Sequence, residues 1–131
     1  MLAKTAKNLV LYALILAGGL AIGHYVPEAV RMLKPKYSEG NFTAYYPDAK
    51  TQVVVYGTST CPFCAKTRAY LKERNIAFSD FDVDKSDKGR RDFGELGGQS
   101  VPVILIGNRK LVGFDPKTID AALNQLKSSH M

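Results

Sequence analysis

The sequence predicts an α/β fold: a four-stranded mixed sheet flanked by helices in the order β-α-β-α-β-β-α, preceded by an N-terminal hydrophobic helix. Three observations predict it. From residue 51 onward, short β-branched runs alternate with segments of helical period. Further on, "VPVILIGNRKLVGF" places a Gly-Asn pair between two apolar runs, the strongest short-range hairpin signal in the chain. At the start, Leu9 to Val26 is almost wholly apolar, and no Asp, Glu, Lys or Arg falls between Lys7 and Glu28.

The elements follow in chain order. Residues 9–26 in a helix are about long enough to cross a bilayer core, and they show no polar face of the kind a water-soluble helix carries. The expected organisation is therefore an anchor or signal segment over 1–36, a linker over 37–50, a folded domain over 51–127 and a disordered tail over 128–131. An uncleaved single-pass anchor would set Tyr12 and Tyr25 near the two interfaces. A cleaved signal peptide would use Lys4 and Lys7 as its charged head and be cut after Gly23; a buried core helix is the third reading. Lys4 and Lys7 before the span nearly balance Arg31, Lys34 and Lys36 after it, so charge alone does not orient it. A short head before a first hydrophobic segment favours a domain on the extracytoplasmic side; export after cleavage and a cytoplasmic-facing domain are the alternatives.

Residues 37–50, "YSEGNFTAYYPDAK", lack a period and read as a connector, whose Phe42, Tyr45 and Tyr46 either pack on the domain or sit at a lipid interface. "QVVVYG" is a short strand ended by glycine, and "CPFCAKTRAYLKER" a helix with Pro62 in its first turn, where a missing N–H costs nothing. "IAFSDFDVD" reads as a second strand, its Ile76, Phe78, Phe81 and Val83 apolar among polar neighbours. Ser86 caps a helix over "SDKGRRDFGELGG", and Gly97 and Gly98 stop it. After the hairpin, Asp115 and Pro116 open a last helix in which Ile119, Ala122, Leu123 and Leu126 recur at three and four residues.

The chain of 131 residues, 46% of them hydrophobic, suffices for one packed domain. The net charge of +6 is spread, with six basic against three acidic residues over 1–50 and twelve against nine over 51–131. No dense basic block interleaved with aromatics appears, which argues against a nucleic-acid surface.

Cys61 and Cys64 are the only cysteines. A bridge across two intervening residues closes almost no loop, so a structural staple stabilises little. A metal site needs about four ligands, and besides the cysteines the chain offers only His24 and His130. An iron–sulfur cluster shared between subunits would need ligands from a partner, and the rigid proline after Cys61 argues against the loop opening it requires. A redox pair is the leading reading. Cys61 falls at the N-terminal tip of a helix, where unpaired N–H groups and the helix dipole favour a thiolate. Cys64, one turn further in, is more enclosed and the poorer nucleophile. Pro62 stiffens the turn, Phe63 forms an apolar lip, and Lys66 adds a nearby cation.

Over residues 51–127 these features resemble the glutaredoxin branch of the thioredoxin fold. "CPFC" corresponds to the family's C-P-Y-C, "SVP" at Ser100, Val101 and Pro102 to its T-V-P, and Gly113-Phe114-Asp115 to its G-G-x-D. The resemblance implies a thiol–disulfide oxidoreductase that reduces protein or glutathione-mixed disulfides, with no bound cofactor and with glutathione as co-substrate. It implies a cis Val101–Pro102 bond beside Cys61, leaving the Val101 backbone to pair with an extended substrate, and it makes Asp115 the receiver of a γ-glutamyl ammonium. The chain departs from the pattern where the family's lysine three residues before the first cysteine is Thr58; Gln99 stands just before the S-V-P triplet, and Lys88, Arg90 or Arg91 could compensate. A thioredoxin-type protein disulfide reductase using another thiol reductant, and a non-catalytic binding module on the same fold, are the competing expectations.

Overall fold

The computed structural model describes residues 1–33 and 36–129, and of residues 28–33 the backbone alone. Lys34 as a flanking charge, His130 as a potential ligand and the end of the expected tail lie outside the described residues. The chain divides into two units, residues 1–35 and 36–131. The first is a single helix, α1 (Leu2–Leu33), with Pro27 inside it. Its stretch Leu2–Pro27 contains an 18-residue window with a mean hydropathy of 1.9 and is long and apolar enough to cross a membrane.

The second unit contains β1 (Tyr37–Glu39), a 3-10 turn (Thr43–Tyr45), β2 (Val53–Gly57), α2 (Pro62–Glu73), β3 (Ser79–Asp82), α3 (Asp87–Glu95), β4 (Val103–Ile106), β5 (Arg109–Val112) and α4 (Pro116–Ser128). These form a sheet of order β1-β5-β4-β2-β3, in which only β2 and β3 run parallel. The sequence leads to four strands; the sheet of the described residues has five. β1 escapes sequence reading because "YSE" is too short to show alternation. It pairs antiparallel with β5 from Tyr37↔Leu111 to Glu39↔Arg109. Residues 37–50 are therefore no free connector.

Strand alternation sends Val53, Val55, Ile104, Ile106 and Leu111 to one face, where they pack with Leu71 of α2 and Ile119, Ala122 and Leu123 of α4. Val54, Tyr56, Val103 and Leu105 face the other way, with Leu96 just after α3, and Phe42, Tyr45 and Tyr46 pack against them. The aromatics of the supposed linker thus complete the second core layer, and the Tyr46 hydroxyl donates to the Gly107 carbonyl at 2.9 Å.

Two boundaries differ from the sequence reading. The second strand spans only Ser79–Asp82, because its sole neighbour β2 offers partners from Val54↔Ser79 to Gly57↔Asp82 and no further. The last helix includes Ser128, capped by Ser129, and both hydroxyls donate to carbonyls four residues back, at 3.0 and 2.7 Å. At the hairpin, Gly107 supplies the positive φ of 58° that a two-residue loop demands at its first position.

Candidate functional site

β2, between β4 and the edge strand β3, ends at Gly57 and α2 starts at Pro62, so the intervening loop presents Cys61 as the N-cap of α2. Its Sγ accepts the Cys64 N–H at 3.2 Å and approaches the Val101 carbonyl at 3.9 Å as donor. Both cysteines are free thiols; Cys61 is half-buried and Cys64 buried. The Val101–Pro102 bond is cis, as the resemblance implies. Gly113 N–H donates to the Pro102 carbonyl at 2.8 Å, which ties the segment leading to Asp115 to the proline loop.

The two sulfurs sit in opposed environments. Partial burial pushes the Cys61 thiol up, but the Cys64 thiol, the backbone N–H groups of Cys64 and Phe63, and the Arg68 charge outweigh it and hold Cys61 below the ordinary thiol range. Burial, with the hydrogen bond to Cys61 and its charge, pushes Cys64 up to about 11. The pair therefore contains one thiol ready to ionise and one kept protonated.

Arg68 is the functional residue that sequence reading misses. It lies four residues after Cys64 on α2, the spacing that brings side chains to one helix face. Its Nε and Nη2 donate to the two Asp80 carboxylate oxygens at 2.7 and 3.1 Å, and its Nη1 to the Thr58 carbonyl at 3.1 Å. A Cβ added to Gly57 would stand 2.8 Å from Cys64 Sγ and 3.2 Å from Arg68 Nη2. The sulfur and the guanidinium thus flank the space that only glycine leaves open. A cation thus stands beside the cysteines, delivered from the helix, but it is committed to Asp80 and the Thr58 carbonyl and does not replace the family's lysine toward a substrate.

Nearby, the Ser59 hydroxyl donates to Asp82 at 2.6 Å and accepts from Lys85 Nζ at 2.7 Å, a polar rim not anticipated from sequence. The other sequence-derived candidates are distributed around the site. Phe63 is 55% exposed beside the cysteines, with Lys66 Nζ over its ring at 5.4 Å. Gln99 and Ser100 are exposed on the approach to the buried Pro102. Phe114 turns its ring edge-on to Tyr70, 5.6 Å between centroids, and packs against the core. Lys88 is committed to the buried Asp92, and Arg90 to Asp87 and the Asp84 carbonyl, so neither stands ready as a replacement cation. Asp115 Oδ1 accepts from Lys117 and Thr118 N–H at the start of α4, and its Oδ2 accepts from Lys36 Nζ at 2.7 Å.

A cysteine at a strand-to-helix junction, beside a cis-proline and on a mixed sheet with helices on both faces, defines a redox protein of the thioredoxin fold. The glutaredoxin family model matches residues 53–112. The glutaredoxin-like 8.6 kDa protein in the rubredoxin operon of Clostridium pasteurianum is 42% identical over 74 residues, 56% of this chain and 99% of that protein. The glutaredoxin-like protein NrdH of Lactococcus lactis is 28% identical over 51% of this chain and 93% of its own length. The crystal structure of the Archaeoglobus fulgidus glutaredoxin matches with a TM-score of 0.52 at 23% identity, covering 66% of this chain and 98% of its own, and so shares the fold. The chain belongs to the glutaredoxin family.

Proposed function

We propose that this protein is a dithiol thiol–disulfide oxidoreductase that reduces protein or glutathione-mixed disulfides through Cys61 and Cys64. The observation that carries this reading is Cys61 Sγ at the α2 N-cap, accepting the Cys64 N–H at 3.2 Å beside the Val101 carbonyl. The Cys61 thiolate attacks one sulfur of a substrate disulfide, forms a mixed disulfide and releases the other half as a thiolate. Cys64 then loses its proton and attacks Cys61 Sγ; the substrate leaves as a thiol, and the two electrons it gained leave the protein with a Cys61–Cys64 disulfide. A thiol reductant of the glutathione class returns both electrons, and no bound cofactor is required.

Pro62 and Phe63 shape the rim for the incoming disulfide. Pro102 supplies no N–H, so the Val101 backbone is left to pair with an extended substrate. Lys66, Gln99, Ser100, Gly113 and Asp115 border the same surface, and Thr58 contributes its carbonyl to Arg68 rather than a cation to the substrate.

The second reading, a protein disulfide reductase independent of glutathione, is favoured by one observation: the outer oxygen of Asp115 already holds Lys36. Helix α1 is assigned as a single-pass membrane anchor, supported by its length and hydropathy. The domain is assigned to the extracytoplasmic side, which a reporter fused to the C-terminus tests; a cytoplasmic reporter signal contradicts it.

The decisive experiment uses the full chain in detergent, with a glutathione-mixed peptide disulfide and insulin as substrates. Cys61→Ser is expected to abolish turnover of both. Cys64→Ser is expected to keep the first and lose most of the second, because reduction of a protein disulfide needs the resolving thiol. Turnover retained in Cys61→Ser would overturn the reading, and function in cells left intact by Cys61→Ser would favour a non-catalytic binding module.

A further inference from the structure

Lys36 is the first residue of the folded unit, just ahead of β1, and its ammonium reaches Asp115, 79 positions later, at 2.7 Å. Asp115 uses its two oxygens differently. Oδ1 is spent on the N–H groups of Lys117 and Thr118, a helix cap, whereas Oδ2 is turned outward and receives the ammonium. Asp115 therefore acts as an ammonium receptor two residues after Gly113, whose N–H is tied to the carbonyl of the cis-proline.

We infer that Lys36 is a specificity-determining residue: it occupies the ammonium position of the substrate surface, and it disfavours small disulfides with a free α-ammonium relative to disulfides that lack one. The inference rests on the oxidoreductase reading above and refines which substrates that reaction selects.

The physical argument is one of displacement. A substrate ammonium that bonds Asp115 Oδ2 competes for it with Lys36, a like charge that belongs to the same chain and is always at hand. The substrate thus gains only the difference between two similar ion pairs. A substrate without an ammonium leaves the Lys36–Asp115 pair intact and forfeits nothing. Lys36 is 74% exposed and Asp115 30%, so the pair is a weak, solvent-screened one. The discrimination it can exert is correspondingly modest, about two- to fivefold. Asp115 titrates below the usual carboxylate range because Lys36 donates to it; burial opposes this, and the Thr118 backbone and hydroxyl and the Lys36 charge add to the lowering. The carboxylate therefore stays charged at neutral pH.

The test compares two mixed disulfides of one cysteine peptide, one with glutathione and one with N-acetylglutathione, whose ammonium is blocked. For the full-length protein in detergent, kcat/KM is measured for both, and the glutathione to N-acetylglutathione ratio is the readout. In Lys36→Gln the ratio is expected to rise about two- to fivefold, and Lys36→Arg is expected to retain the parent ratio because it keeps the cation. In the double variant Lys36→Gln, Asp115→Asn the rise is expected to vanish. A general loss of stability moves both substrates together and leaves the ratio where it was. A ratio unchanged in Lys36→Gln would overturn the inference while leaving the oxidoreductase reading intact; no turnover by the parent protein of either mixed disulfide or of insulin would overturn both.

Discussion

Two ion pairs of the domain are built in opposite ways. Arg68–Asp80 is two-pronged, its arginine 18% exposed and held a third time by the Thr58 carbonyl. Lys36–Asp115 is a single contact between a solvent-facing lysine and a carboxylate whose other oxygen caps a helix. The first is part of the packed domain and its charge reaches both sulfurs. The second rides on the surface and touches neither. The fold thus tunes its reacting atoms with a cation fixed by geometry, and leaves the choice of substrate to one that a competitor can displace.

The comparison can be broken most forcefully at Gly57, where Arg68 and Cys64 meet. Gly57→Ala sets a methyl 2.8 Å from Cys64 Sγ and 3.0 Å from its Cβ, both buried, and overpacking of this kind costs about 1–3 kcal/mol. Chemical denaturation of the full chain should show that loss. An unchanged midpoint would mean that the close approach of strand and helix is not maintained in solution.

Arg68→Gln comes next. It removes the two-pronged bond to Asp80, and after discounting for the 39% exposure of that carboxylate we expect a loss of about 1 kcal/mol. The more specific effect is on titration. Arg68 favours the Cys61 thiolate, so its removal shifts the pH midpoint of Cys61 alkylation upward and slows alkylation at neutral pH. A midpoint that stays put would make Arg68 a purely structural residue. The smallest effect belongs to Lys36→Gln, whose stability should lie within about 0.5 kcal/mol of the parent, as for an exposed surface substitution. A larger loss would show that the outer pair is structural after all and erase the contrast.

How much of this was legible in the sequence depends on distance along the chain. Cys61, Pro62, Ser86 and Asp115 each act on backbone within three residues, so local rules found the helix starts and the sulfur at one of them. The hairpin was legible for the same reason, since Gly107 needs only its own φ. β1 was not, because a three-residue edge strand has no periodicity and exists only through its ladder with β5. Phe42, Tyr45 and Tyr46 were ambiguous until the sheet supplied a face to cover. Of the two cations, Arg68 could have been noticed from its four-residue spacing to Cys64, although nothing local connects it to Asp80. Lys36 had no such signal, since its partner lies 79 residues away and the sequence gives it the ordinary role of a charge after a hydrophobic span.

The central claim is the inequality of the two thiols, and site-resolved alkylation of the reduced full-length protein tests it most directly. With iodoacetamide over a pH series and mass spectrometry of the peptides, Cys61 should be modified first, with a midpoint below the value of about 8.5 for a free cysteine. Cys64 should resist until well into the alkaline range. Modification of Cys64 first, or of both cysteines together at the free-thiol midpoint, would contradict the assignment of attacking and resolving roles.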